Sequence, residues 1–486
     1  VSLDPRTPVL VGAGVAHQHV DDPEIALEAI ELMSLACERA APTSLLARAQ
    51  SILVPRGTWR YRDPGRLLAA RFGATDAHTV VGEFGILQQT LVTRACNAIA
   101  RGGLDVALVV GGEAKYRDLR AQIAGTRASE TEQVDVAPDD VLVPAAEIIP
   151  PIEIAAGLTI PAAQYAIIET ALRAARGQPV VTHARALAEL WAGFSEVAAA
   201  NPDAWRHDAI APEFLSSPSD KNPMYAAPYT RWHCSQWNVD QAAAFVLCSV
   251  EAAERSGVAR EHWVFPMAAV ESNAMVPVSQ RDELHRSPAV SAGGEQLAVM
   301  SGVDPRDADH FDLYSCFPSA VQVQAEALHL GSDRPFTVTG GMTFAGGPLD
   351  NYNFQALAKM VEVLREQPGT TGLVTCISGM ITKHGMAMWS TSPPADGFRF
   401  ADVSDETSAR TAVRDLAPDY DGPARVDGYT VVHSRAGEPE RAIVVATTLR
   451  DGRRAVAAST DTDLAAAMLD DEWCGRDVQV AGSTFR

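Results

Sequence analysis

Seven cysteines and twelve histidines are the residues of this chain best suited to covalent or proton-transfer chemistry. Cys37, Cys96, Cys234, Cys248, Cys316, Cys376 and Cys474 are scattered, with no CxxC pair and no close even spacing, which argues against disulfide staples and a zinc ribbon and for a reducing compartment. His233 and Cys234 are neighbours, but adjacent residues of an extended segment point to opposite faces, so no Cys-His pair is expected there. The stretch "GGMTFAGGPLDNYNF", residues 340–354, places four glycines within eight residues, a density suited to close approach of backbone to a ligand. "GAGVAH", residues 12–17, is a broken GxGxxG that a tight turn after a strand explains without a dinucleotide.

The elements that must position these residues alternate. "PVLVG" and "QSILVPRG" read as buried strands, and "DPEIALEAIELMSLACERA" as an amphipathic helix with Asp22 as its cap, so an α/β sheet is expected. Two blocks, 82–114 and 346–380, each run from a glycine turn through an apolar-faced helix to a buried strand, which suggests two halves of similar design. Between them, residues 115–228 carry an acidic loop, a helix opening at Pro161 and a turn-rich stretch, the texture of an insertion. "STSPPADG" reads as a linker. Beyond it, a hairpin turning at Asp451-Gly452 and further short β runs predict a small β-rich domain.

The bulk numbers limit partners. In 486 residues, 40 Lys and Arg face 61 Asp and Glu, a net charge of −21 that repels nucleic acid and anionic membranes. Lys115, Lys221, Lys359 and Lys383 are the only lysines. No apolar run approaches the length of a membrane span and the opening stretch lacks a signal-peptide pattern, so a cytoplasmic protein is expected.

The two blocks, taken in order with "DLYSCFPSAV", "GGMTFAGGPL" and "CISGM", resemble the thiolase superfamily, specifically its thiolase-like, acetyl-CoA acetyltransferase-related group, over residues 6–390. The resemblance implies a five-layer αβαβα fold. Its first half would comprise 1–114 and 229–262, its loop domain 115–228 and its second half 263–390. The tail, 397–486, resembles the extra domain of thiolase-like proteins of type 1, with an OB-like barrel as one form it could take. The expected ligand is CoA or acyl-CoA, with no covalently bound cofactor and no metal. A monomer is preferred over a homodimer.

The resemblance also implies chemistry. A cysteine at a helix start takes the acyl group, a second cysteine moves the α-proton, and histidine and asparagine hold the thioester oxygen. Here Gly85 stands in the place of the first cysteine and Gly347 in the place of the histidine of the family's Gly-His-Pro loop, while Tyr314 replaces the asparagine or histidine. Cys376 matches the proton-transfer cysteine, and Cys316 matches a cysteine of sterol-carrier-type thiolases. Three readings follow: a CoA-binding protein without ordinary thiolase turnover, an acyltransferase rewired around Cys316 or Cys376 with His384, or a scaffold that binds a partner through its C-terminal domain. Arg173, Arg176 and Arg185 are candidates for the CoA phosphates.

Overall fold

The computed structural model describes residues 3–332 and 334–486. Its first sheet has six strands in the order Pro8–Gln18, Asp240–Ser249, Val106–Ala114, Ser51–Pro55, His78–Gly82, Asp140–Leu142. The second has five, in the order His310–Asp312, Thr371–Ser378, Lys383–Ser390, Phe265–Ser272, Arg399–Asp402. Helices Gln88–Ala100 and Tyr352–Glu366 lie between the sheets, each touching both. Ala29–Ala40 and Pro64–Phe72 cover the outer face of the first sheet, and Pro288–Ser301 that of the second. The result is five layers, αβαβα. Strands buried on both faces must be apolar throughout, and Asp240–Ser249, buried at every position, meets that demand with "AAAFVLC".

The two repeated blocks are these central helices with the strands that follow them, Val106–Ala114 and Thr371–Ser378. The second sheet extends past residue 390. Arg399–Asp402 runs parallel to Phe265–Ser272 after the polar stretch that reads as a linker, because a Pro-Gly-rich segment can as well be a crossover within one sheet as a boundary. Tyr229–Thr230, placed with the first half by sequence, instead forms a hairpin with Met224–Ala226. The first-half sheet resumes only at Asp240.

The C-terminal residues form a closed five-stranded barrel. Asp421–His433 pairs with Pro439–Thr448 and Asp477–Ala481, Pro439–Thr448 with Arg454–Ser459, and Thr484–Phe485 joins Arg454–Ser459 to Asp477–Ala481. With the helix Thr462–Asp470 packed on it, the barrel is OB-like. The predicted hairpin is present, with Gly452 at φ +71° in its turn. The loop-domain hairpin adds to the barrel sheet through Val432 opposite Ala226. Gly428 permits the contact with the loop-domain helix Pro161–Ala175, since a Cβ there would meet the Ile167 carbonyl at 2.8 Å. Arg173 of that helix reaches Glu472 and the Tyr429 hydroxyl at 2.9 Å each. Among the described residues no helix is long and apolar enough to cross a membrane.

Candidate functional site

The glycine loop hangs from one carboxylate. Asp312, fully buried at the end of its strand, accepts hydrogen bonds from the backbone of Val338 and Thr339 and the hydroxyls of Thr337, Thr339 and Tyr352. The loop so held packs against the chain itself. A Cβ on Gly340 (φ +102°) would meet Ala198 at 2.3 Å, and one on Gly346 would meet Gln241 at 2.2 Å. Its glycines therefore admit the loop-domain helix Val180–Ala200 and the returning core strand, where the sequence suggested a ligand. A side chain at Gly347 would press on Met342, whose atoms lie 3.2 Å from the Cβ position.

Gly85 turns the chain from the strand His78–Gly82 into the central helix with φ +97°, and a Cβ there would meet Pro144 at 3.3 Å. Its carbonyl accepts from Lys383 Nζ and from Ser378 Oγ. At the mouth of the helix stands Gln88. Its Oε1 accepts from the Cys376 thiol at 3.6 Å and from the Asn353 amide at 3.4 Å, and its Nε2 donates to Asp350 Oδ1 at 3.4 Å. Tyr314 completes this cluster, its hydroxyl beside Gln88 and its ring edge-on to Tyr352.

The sheet separates the other candidates. Cys376 stands opposite Gly385 and, one strand on, Glu271, all facing the helix Gln88–Ala100. His384 stands opposite Ile377 and Ser272 on the other face, where Gln324 Oε1 lies 3.1 Å from its Nε2. A Cys376–His384 pair is therefore not formed. Cys316 lies against the Tyr165 hydroxyl, beneath the stacked rings of Tyr165, Phe317 and Tyr229.

Burial sets the protonation of these groups. It pushes the thiols of Cys316 and Cys376 up to about 12 and pulls His384 down to about 3, so at neutral pH the thiols are protonated and the imidazole is uncharged. Burial, then the charge of Glu113, raises Asp350 to about 8. Glu271 rises to about 7 by burial, against the hydrogen bond from Thr90. Burial lowers Lys383, which Cys376 and Glu271 flank. Sequence reasoning missed Gln88, Glu271, Asp350 and Lys383. Lys383 left a signal as one of four lysines, set in an otherwise apolar strand.

A cavity of about 540 Å³ opens outside this cluster, between the loop domain and the barrel. Arg206, Arg231 and Arg435 line it, with Tyr225, Trp232 and Trp237; the Arg206 guanidinium sits 4.4 Å from the Trp232 ring centre. None of the three arginines is within ion-pair distance of a carboxylate among the described residues. At its floor lie Cys234, Ser235 and Thr343, and the Ser235 amide donates to the Cys316 carbonyl at 3.2 Å. Of the arginines singled out from sequence, Arg173 is spent on Glu472 and Tyr429, Arg176 binds Glu326 and Gln322, and Arg185 is exposed. Among the described residues no cluster of ligating side chains suits a metal.

The two-sheet, five-layer core is that of the thiolases. It superposes on the acetyl-CoA acetyltransferase of Syntrophomonas wolfei with a TM-score of 0.57 at 15% identity, over 80% of this chain and 100% of that one. The dimeric peroxisomal thiolase of Saccharomyces cerevisiae gives 0.57 at 13%, over 80% and 99%. The monomeric SCP2-thiolase-like protein type 1 of Mycobacterium smegmatis gives 0.83 at 28%, over 100% of this chain and 99% of that one. Residues 402–483 match the family described as the thiolase-like protein type 1 additional C-terminal domain. Over its whole length the chain is thus similar to a thiolase-like protein of type 1, and its tail carries the additional C-terminal domain of that group. No curated protein matches it.

Proposed function

We propose that this protein binds CoA or acyl-CoA and performs no ordinary thiolase turnover. One juxtaposition carries the reading: an unpaired arginine cavity opens beside a reaction centre filled by the protein's own side chains. Three guanidiniums suit phosphates, and the indole and phenol rings beside them suit a nucleotide base. Inside, the turn that would carry the acyl-accepting thiol has glycine at a positive φ, Gly347 offers no imidazole, and the thiols of Cys316 and Cys376 are buried and protonated. Without nucleophile and imidazole, Claisen condensation and thiolysis have no route. A rewired acyltransferase built on Cys376 with His384 is disfavoured by their placement on opposite faces of the sheet. A cytoplasmic location and a place in acyl-CoA metabolism belong to the same reading.

Isothermal titration with CoA and acetyl-CoA, followed by mass spectrometry of the same samples, tests it. Binding without a covalent adduct, weakened about tenfold or more by Arg206→Ala or Arg231→Ala, is the expected result. An acyl group on Cys316 or Cys376 would establish rewired catalysis instead. Absence of binding would remove the CoA assignment.

A further inference from the structure

A second cavity, of about 630 Å³, lies at the C-terminal end of the helix Pro161–Ala175 and has no part in the reading above. Its lining includes Ile381 and Thr382, from the turn joining the strand of Cys376 to that of Lys383. Gly379, Met380 and Ile381 there take φ values of +58°, +51° and +75° in succession. A β-branched residue in this region is a true conformational outlier, and such strain persists only where the surroundings enforce it. Two side chains of the cavity wall do so. Arg281 Nη2 donates to the Gly379 carbonyl at 3.1 Å, and Ser287 Oγ to the Ile381 carbonyl at 3.0 Å.

Arg281 is only 4% exposed, yet it lines the cavity. Its Nε donates to the Val276 carbonyl, and Nη1 has no hydrogen-bond partner among the described residues. The acidic groups around the cavity are already matched: Glu326 by Arg176, Glu283 by Arg286, and Asp282 by Arg414. Arg410 is taken by Glu295 and Glu406, and His285 is held neutral by burial. Glu153 influences Arg281 through space, but its oxygens accept from the Ser279 amide and from Gln164, and among the described residues no carboxylate lies within ion-pair distance of the guanidinium. One buried cation is thus fixed by two carbonyls with a terminal nitrogen to spare. Beside it, the first turn of Pro288–Ser301 carries no acidic side chain; Pro288 has no N–H and the Val290 and Ser291 amides donate to the Ser287 carbonyl, which leaves the Ala289 amide without a partner among the described residues. Leu172, Val276, Ala289, Val323 and Ile381 supply apolar wall.

We propose that this cavity binds a monocarboxylate with an apolar body, its carboxylate received by Arg281 at the start of the helix Pro288–Ser301. A single unmatched guanidinium favours a monoanion. A phosphate dianion would add a charge beside Glu283, Glu326 and Asp282 that nothing there neutralises. The size is that of a small-molecule site. Because Arg281 also holds the 379–381 turn, occupancy is transmitted to the strands carrying Cys376 and Lys383.

Calorimetric titration with octanoate, with inorganic phosphate as the comparison, tests the proposal without reference to CoA. Saturable octanoate binding, about tenfold or more weaker in Arg281→Gln and in Ala327→Trp, is expected, with slower amide exchange at 379–383 in the bound form. Ala327 lines the same cavity and takes no part in the hydrogen bonds of Arg281, so its variant keeps the test valid if loss of Arg281 unfolds the protein. Three outcomes overturn the proposal: no saturation by octanoate, unchanged binding in Ala327→Trp, or phosphate binding as tight as that of octanoate.

Discussion

Cys376 and His384 sit on neighbouring, paired strands, one register step out of alignment, and that step puts the thiol and the imidazole on opposite faces of the sheet. Replacing His384 with Asn therefore leaves the alkylation rate of Cys376 unchanged. Iodoacetamide at pH 8 with peptide mass mapping reads this directly. The same map is expected to show first labelling at the half-buried Cys234 and Cys474, with Cys316 and Cys376 silent until the protein unfolds. Early labelling of Cys376 that His384→Asn suppresses would show the pair to be coupled.

Restoring a cysteine at residue 85 does not restore an acyl-enzyme. A side chain there is held at φ +97° against Pro144, at a cost of about 1–2 kcal/mol for an L-residue in a left-handed conformation. Gly85→Cys is expected to unfold at lower denaturant than the parent and to carry no acetyl group after incubation with acetyl-CoA. A stable thioester on that residue would contradict the geometry.

Tyr165 stacks on Phe317, with ring centres 4.7 Å apart, and its hydroxyl lies against the Cys316 thiol. Tyr165→Ala removes both the stacked ring and that hydroxyl. Cys316 labelling should accelerate at least tenfold, while stability falls by about 3–5 kcal/mol for loss of a buried aromatic. Equal labelling in variant and parent would mean that the stack does not guard the thiol.

Glu271 makes stability depend on pH in a defined sense. Its folded pKa of about 7 lies above the ordinary 4.5, so the folded state holds a proton that the unfolded state releases. That contribution is complete below pH 4.5 and is lost as pH rises through 7. Glu271→Gln mimics the protonated acid. Relative to the parent it should gain about 3 kcal/mol between pH 5 and pH 8, read from urea midpoints. No change in the difference between these pH values would show that Glu271 titrates normally.

The strand Asp140–Leu142 pairs in parallel with His78–Gly82 and occupies the edge of the first sheet. It takes up the ladder of His78–Gly82 and leaves only three residues as the sheet edge, too short to pair well with a second copy. Light scattering during gel filtration should give a mass near 51.8 kDa, that of one chain, at micromolar concentration. A value twice as large would place the subunit contact elsewhere.

The layered core was legible because fully apolar strands and 3.6-residue helices leave strong periodic signals, as in "AAAFVLC" and "NFQALAKMVEVL". The glycine loop was legible as a special backbone, but its occupant was not. Which atoms approach a glycine is decided by long-range packing, and here the approaching atoms are those of Ala198 and Gln241. The face on which His384 lies was hidden for a similar reason. Register between strands depends on the turn at 379–382, whose three left-handed residues include Met380 and Ile381, types that give no turn signal. Lys383 and Asp350 escaped notice because a charged residue in an apolar strand or loop declares its burial only once the neighbours are in place.

The hairpin Met224–Thr230 adds to the barrel through Asp421–His433, a strand emerging from synthesis some 200 residues later. Until then, one edge of the loop domain has no ladder to join. Such separation along the chain delays the last pairing, since loop closure must precede the contacts that reward it. The loop domain therefore completes its assembly after both core halves have left the ribosome, and a chain shortened before residue 421 presents that hairpin edge to any strand it meets.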